Sequence, residues 1–533
     1  MTFIKEIFLG REKLFTLNAI IFHGALLAMS STFVYVFSYS TSFGYDLLGG
    51  DSSIFQVIGK YWTQGYLPYV DLFDHKGPLL FFINAIGYMI YPRSGIMALQ
   101  IISLYLSCLF IWRAMELYSS SVWKVFFLLL TLIYYAAHYE EGNHVEEYTV
   151  LFLSAAAYCF LLSLKEDKFP PLYGFIYGLG FGACFLIRLS DAAQICCQCF
   201  LVAVFLLQAR DFKTLWQNVL SFLAGFAAIV LPFVIYFAAH DALYDMIYGT
   251  LLFNLKYTLV ETTDLPIMLR INYQAFHGFP FLIMILLAML SLKKNPSNKL
   301  MQSALFIGAM LLCMFMKLRY FPHYFMLFLP VAPILFAVLH KSYDALHKVL
   351  HGKKYPLLRV LIKVFIVLAV FQVTITISYL KLLLLNEEND LFMFFPLEAK
   401  RMELLDLDNK ERILELRKLI PQHEQKSFVI WGEVSPPSHW ILRTDIKSCE
   451  RFFVNNSFHA TTDKNIRREW FDNVRADYPL WILYGTDPNR NPDAPPSTPE
   501  EDAELEKLLA ARYSLKGEVF IYPQLMKLYR LKE

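Results

Sequence analysis

Residues 51–91 read DSSIFQVIGKYWTQGYLPYVDLFDHKGPLLFFINAIGYMIY, and the topology of the whole chain turns on how they meet a bilayer. In the first part Ile54, Phe55, Val57, Ile58, Tyr61 and Trp62 fall on one helical face. Asp51 stands at the N-cap position and Gly65 supplies a stop, so the run predicts an amphipathic helix lying on a membrane surface. Pro68, Gly77 and Pro78 punctuate a turn carrying Asp71, Asp74, His75 and Lys76 at the lipid boundary. The last block, 78–91, falls short of the ~20 residues a crossing needs, which predicts a re-entrant or interfacial helix rather than a span.

Outward from this stretch the chain alternates apolar blocks with short polar connections. Its 533 residues are 56% hydrophobic and only 18% charged, far too apolar for one soluble core. The blocks predict a polytopic all-α membrane protein of about eleven spans: roughly 14–37, 96–112, 122–138, 148–164, 172–188, 191–208, 216–239, 273–292, 300–317, 323–340 and 359–382. If 78–91 does not cross, the basic connections at Arg113 and Lys124, Lys165 and Lys168, Arg210 and Lys213, Lys293 to Lys299, and Lys341 to Arg359 all share the N-terminal side. The positive-inside rule makes that side cytoplasmic. Lys5, Arg11 and Lys13 before a long apolar run read as an uncleaved first span rather than a signal peptide. A bacterial inner membrane fits best.

Residues 1–382 are thus expected to form the membrane module, with outward loops at 38–95, 139–147, 241–272 and 318–322. Residues 383–533 are expected to form a small extracytoplasmic α/β domain, because SFVIWG, PLWILYG and GEVFIYPQLMKLYRL read as strands and PEEDAELEKLLAARY as a helix. Seven of eight cysteines lie in apolar blocks, where small buried thiols pack without partners, and Cys449 alone cannot form a disulfide within the soluble part. The near-neutral charge of +2 leaves no nucleic-acid footprint.

The suggestive polar residues gather on the outward face. No ATP or nucleotide sugar is available there, so a substrate must arrive already activated on a lipid. Lys76 can meet a lipid phosphate, although pairing with Asp74 is the plainer explanation of both charges. Arg188 and Asp191 read as a structural ion pair. Lys256, Glu261, Asp264 and Arg270 sit among tyrosines in the loop 241–272 and support no individual assignment.

The run Asp51-SSIF, Gly65-YLP and Asp74-His75-Lys76-Gly77-Pro78 resembles the first extracytoplasmic loop of the bacterial GT-C glycosyltransferases, the superfamily of lipid A aminoarabinose transferase and the protein O-mannosyltransferases. The family's Lys-Pro pair is here one residue looser, and its Asp-Glu is here Asp51-Ser52. HYEEGNHVEEY (138–148) and RYFPHYFMLFLP (319–330) are similar to two further motifs of that family. The resemblance implies transfer of a sugar from a polyprenyl-phosphate carrier to a hydroxyl of a lipid, glycan or protein acceptor, with inversion. It implies Asp51 as base, Lys76, Arg319 and His323 around the donor phosphate, and Asp74, His75, Glu141, Asn143 and Tyr324 at the substrate. No cofactor and no metal ligand are expected, since lysine and arginine can neutralise one phosphate. The alternative is a Mg or Mn ion held by Asp51 and a glutamate. Competing readings are a lipid-linked sugar transporter or flippase and a non-catalytic envelope subunit.

Overall fold

The computed structural model describes residues 7, 16–119, 122–259, 277–315, 321–351, 410–432, 435–454, 459, 462–486, 499–521 and 524–533. From the N-terminus, α1 (Leu17–Phe37) is followed by α2 (Asp51–Trp62), α3 (Pro78–Ile90), α4 (Ser94–Glu116), α5 (Trp123–Ala136), α6 (Val145–Glu166), α7 (Pro171–Ile187), α8 (Ala193–Gln208) and α9 (Phe212–Ala239). Short helices α10 (Leu243–Ile247) and α11 (Phe253–Leu259) flank a π-helical turn at Tyr248–Leu252. Then come α12 (Phe279–Leu292), α13 (Lys299–Phe315) and a 3-10 segment, Pro322–Val331, that runs into α14 (Ala332–His351).

Six helical stretches among the described residues are long and apolar enough to cross a membrane: α1, α4, α6, Leu189–Gln208, α9 and Pro322–Ser342. The helices α3, α5, α7, α12 and α13 are shorter but equally apolar. The chain is a multi-pass membrane protein. The expected span at 359–382 lies outside the described residues, as do Arg319, Glu261, Asp264 and Arg270.

Local chemistry sets the helix ends. The Thr16 hydroxyl accepts from the Ala19 N–H at 3.2 Å to open α1, and proline occupies the first turn of α3 and α7, where no N–H is needed. A glycine seam joins α7 to α9. A Cβ on Gly178 would meet the Phe222 carbonyl, and one on Gly225 would meet that of Phe175, so the two backbones approach as only small residues allow. Cys196 and Cys313, expected to pack as buried thiols, are exposed instead; a thiol is apolar enough to face lipid.

The sheet of the C-terminal part has the order β1-β2-β4-β3, built from β1 (Phe428–Trp431), β2 (Trp481–Thr486), β3 (Tyr513–Ile521) and β4 (Gln524–Leu531). β1 and β2 run parallel and the other pairs antiparallel. A parallel pair needs a long crossover, and α15 (Ser435–Thr444) and α16 (Asn465–Ala476) lie within it; α17 (Pro499–Arg512) precedes β3.

This domain packs directly on the first outward loop. Ile54, Phe55 and Ile58 of α2 share one core with Trp440, Ile441 and Phe453. The helix α2 therefore does not lie on the surface with one face free, as its amphipathic pattern predicts: from Ser52 to Gly59 every residue is buried. Ser53 Oγ meets Ser438 Oγ at 2.6 Å, and Lys60 pairs with Asp445. Asp46, just before α2, binds Lys410 at 2.6 Å and also Arg443.

Candidate active site

The start of α2 is the first fixed point. Gly50, not Asp51, is the N-cap, and it offers no side chain to the orphan N–H groups of the first turn. The acceptor comes from the second outward loop: Glu141 takes the Gly50 N–H at 2.5 Å on Oε2 and the Ser52 N–H at 2.9 Å on Oε1. Asp51 becomes the first helical residue, and among the described residues nothing hydrogen-bonds its carboxylate. The protein around Glu141 strips water from its carboxyl and pushes it up to about 8, with the charge of Asp51 acting the same way and the two N–H groups opposing it.

The second loop makes its turn with left-handed residues, at φ 50° for Glu140, 81° for Gly142 and 61° for Asn143. Asn143 is buried in a polar web that joins three helices. It donates to Ser52 Oγ at 3.1 Å and to Asn84 Oδ1 at 2.9 Å, and accepts from the Tyr148 hydroxyl at 2.6 Å. At the start of α6 the His144 backbone N–H donates to Glu147 Oε1 at 2.7 Å.

Beside it, Glu140 Oε2 lies 2.9 Å from His323 Nδ1 and 3.7 Å from His144 Nε2. The two imidazoles stack, with centroids 4.6 Å apart and planes at 15°. Burial works against the charge of Glu140, but the His323 bond holds its carboxyl below the usual range. Tyr324 stands edge-on to His323 and takes the Arg188 guanidinium 4.6 Å from its ring centre. Arg188 is paired with Asp191 at 2.7 Å, as its spacing predicts, and also with Glu146, which the sequence did not point to.

The first loop supplies the remaining cation. Lys76 Nζ is 2.8 Å from His75 Nε2, while its backbone N–H donates to Asp74 Oδ1 at 2.9 Å and its carbonyl accepts from the Tyr69 hydroxyl at 2.8 Å. The Lys76 ammonium therefore engages His75, and Asp74 engages the backbone. Burial raises the Asp74 carboxyl, Lys76 opposes the rise and Asp51 adds to it. Gly77 explains the looser Lys-Gly-Pro spacing. Its N–H donates to the Ile187 carbonyl at 2.9 Å, and a Cβ there would strike the backbone of Leu186. On the other flank His75 Nδ1 lies 3.3 Å from His459 Nε2 of the C-terminal domain.

The charge of Asp51 acts on groups of both loops and beyond, Asp74, Glu140, Glu141, His144 and Tyr324. Of the residues predicted at the site, only Arg319 lies outside the described residues. Two groups have ligand atoms within 4.8 Å of one another and could hold a metal ion: Asp74, His75 and His459, and Glu140, His144 and His323. Sequence reasoning missed His144, Glu140 and His459. A histidine three residues before Glu147 was a visible capping signal, whereas nothing local pointed to His459.

A bundle of apolar helices with a small mixed sheet at the C-terminus is a multi-pass membrane fold that a protein of known structure shares. The crystal structure of ArnT from Cupriavidus metallidurans bound to undecaprenyl phosphate superposes with a TM-score of 0.56 at 12% identity, over 96% of this chain and 98% of that one. The family described as the competence-induced protein Ccs4 N-terminal domain matches residues 15–386, and the chain belongs to that family. No curated protein sequence matches it.

Proposed function

We propose that this protein is an inverting glycosyltransferase that moves a sugar from a polyprenyl-phosphate carrier to an acceptor hydroxyl on the extracytoplasmic face of a bacterial inner membrane. The N-terminus is then cytoplasmic, and the C-terminal domain covers the site from outside. The reading rests on one observation: the unbonded Asp51 carboxylate, fixed at a helix start, sits within electrostatic reach of both the Lys76 loop and the Glu140–His323 cluster. The likeness to a protein crystallised with undecaprenyl phosphate supports a lipid of that class as partner.

Asp51 takes the proton from the acceptor hydroxyl as its oxygen attacks the anomeric carbon. The bond from that carbon to the phosphate oxygen breaks on the opposite face, and the polyprenyl phosphate leaves with the electron pair. Lys76, with Arg319 and with His323 through Nε2, meets the charge that builds on the phosphate. Asp74 and His75 set the Lys76 loop. Glu141 and Asn143 act as positioning residues for α2, and Tyr324 offers its ring and hydroxyl to the sugar.

The test is transfer from a polyprenyl-phosphate hexose in proteoliposomes. Asp51→Asn loses about 10²–10⁴ in turnover, as expected for a missing general base, while undecaprenyl phosphate still binds. Lys76→Ala weakens that binding. Near-normal turnover by Asp51→Asn removes the assignment, and a transporter or a non-catalytic subunit then explains the chain better.

A further inference from the structure

The group formed by Glu140, His144 and His323 contains more than a hydrogen bond between a carboxylate and an imidazole. His144 is buried, and among the described residues its Nε2 finds no hydrogen-bond partner; Glu140 Oε2 at 3.7 Å is too distant to serve. Glu146, two residues on, leaves its buried Oε2 without a partner as well. An orphaned buried polar atom calls for an explanation, and a bound ion is one where several ligand atoms converge. Here two occur two residues apart at the same helix start.

The spacing says which ligand. Bonds of about 2.1 Å in a tetrahedron place neighbouring donor atoms about 3.4 Å apart. Glu140 Oε2 lies 2.9 Å from His323 Nδ1 and 3.7 Å from His144 Nε2, and the three donor atoms are all within 4.8 Å of one another. Two imidazole nitrogens and one carboxylate oxygen suit a borderline divalent ion, where an all-oxygen set would suit magnesium or calcium. Three protein ligands leave one position open.

We propose that Glu140, His144 and His323 bind a divalent transition-metal ion of the zinc class, through Oε2, Nε2 and Nδ1. At the open position water or a phosphate oxygen can complete the shell. His323 keeps its other ring nitrogen for an anion, so metal binding and phosphate binding use different atoms of the same residue. The inference stands on the cluster geometry and holds whether or not the protein transfers sugars.

The full chain is purified in detergent without a polyhistidine tag, stripped with a chelator, titrated with zinc chloride and desalted, and its metal content is measured by mass spectrometry. One zinc per chain is expected in the native sequence. His144→Ala and Glu140→Gln are expected to bind at least tenfold more weakly. Glu140→Gln keeps the volume of a loop residue and covers the case in which His144→Ala does not fold. His459→Ala, which dismantles the other candidate group, is expected to keep the ion. A native protein that retains no zinc overturns the proposal, as does zinc retained unchanged by Glu140→Gln or His144→Ala, or lost only in His459→Ala. Transfer activity enters none of these outcomes, so failure here leaves the glycosyltransferase reading to its own test.

Discussion

Removing the Glu141 carboxyl should loosen the first turn of α2 and carry Asp51 with it. In Glu141→Ala the N–H groups of Gly50 and Ser52 lose the only acceptors that the described residues give them. A lost helix N-cap costs about 0.5–2 kcal/mol, and a buried donor left bare about 1–3 kcal/mol. Ser52 is buried whereas Gly50 keeps contact with solvent, so water rescues one donor and the total settles near 2 kcal/mol. That is about a thirtyfold rise in local opening. Hydrogen exchange followed by mass spectrometry in detergent reads it in peptides over 50–53, with those over 59–62 as the internal control. Glu141→Gln keeps one acceptor oxygen and should show about half the loss in free energy. The same residue sets a pH dependence. Its carboxyl lies near 8 in the folded protein against an ordinary ~4.3, so the protein is most stable while it is protonated. Stability should fall as pH rises from about 5 through about 8, and Glu141→Gln should flatten that fall. Unchanged exchange at 50–53 in Glu141→Ala would show that the helix start finds its acceptors elsewhere, and the residue would return to being a candidate for direct sugar contact.

Two further substitutions test the Lys76 loop. Gly77→Ala drives a methyl group into the Leu186 backbone, and overpacking of this kind costs about 1–3 kcal/mol; a lower melting temperature and weaker undecaprenyl phosphate binding are expected together, and neither should follow from Gly24→Ala, where the space is open and the backbone helical. His459→Phe preserves an aromatic ring against Phe73 and Phe253 but removes the nitrogen that holds His75. The loss of about 1 kcal/mol for that bond should appear as roughly fivefold weaker binding of undecaprenyl phosphate with the domain still folded. Unchanged affinity would sever the domain from the Lys76 loop.

Much of the fold was legible because apolar period and length carry it. Among the described residues the apolar blocks become helices, α2 starts at Asp51, one position earlier than expected, and the chain reverses at Gly65 with φ 92°. The strands of the C-terminal part fall where β-rich runs stand, yet their mixed order does not, since pairing between β1 and β2 depends on residues some fifty positions apart. The candidate site was half legible for the same reason. Asp51 and Lys76 announce themselves as charges beside apolar helices, whereas Glu141 stood out only through the family resemblance, and there as a substrate residue. Its role as a cap for a helix 90 residues earlier exists only once the chain has folded, and so does the meeting of His144 with His323. Reading Asp51 itself as the cap was an error of one position with a chemical cause: an aspartate favours the N-cap, and a remote glutamate had already filled that need.

The helix α2 has the membrane bundle on one flank and α15 on the other, with Ser53 touching Ser438 and Lys60 paired to Asp445. The soluble domain is thus part of the mould in which the Asp51 carboxylate is set, and not a cap that can be exchanged at will. A chimera carrying a relative's C-terminal portion should inherit a well-placed carboxylate only if the residues opposite Ser53 and Lys60 travel with it.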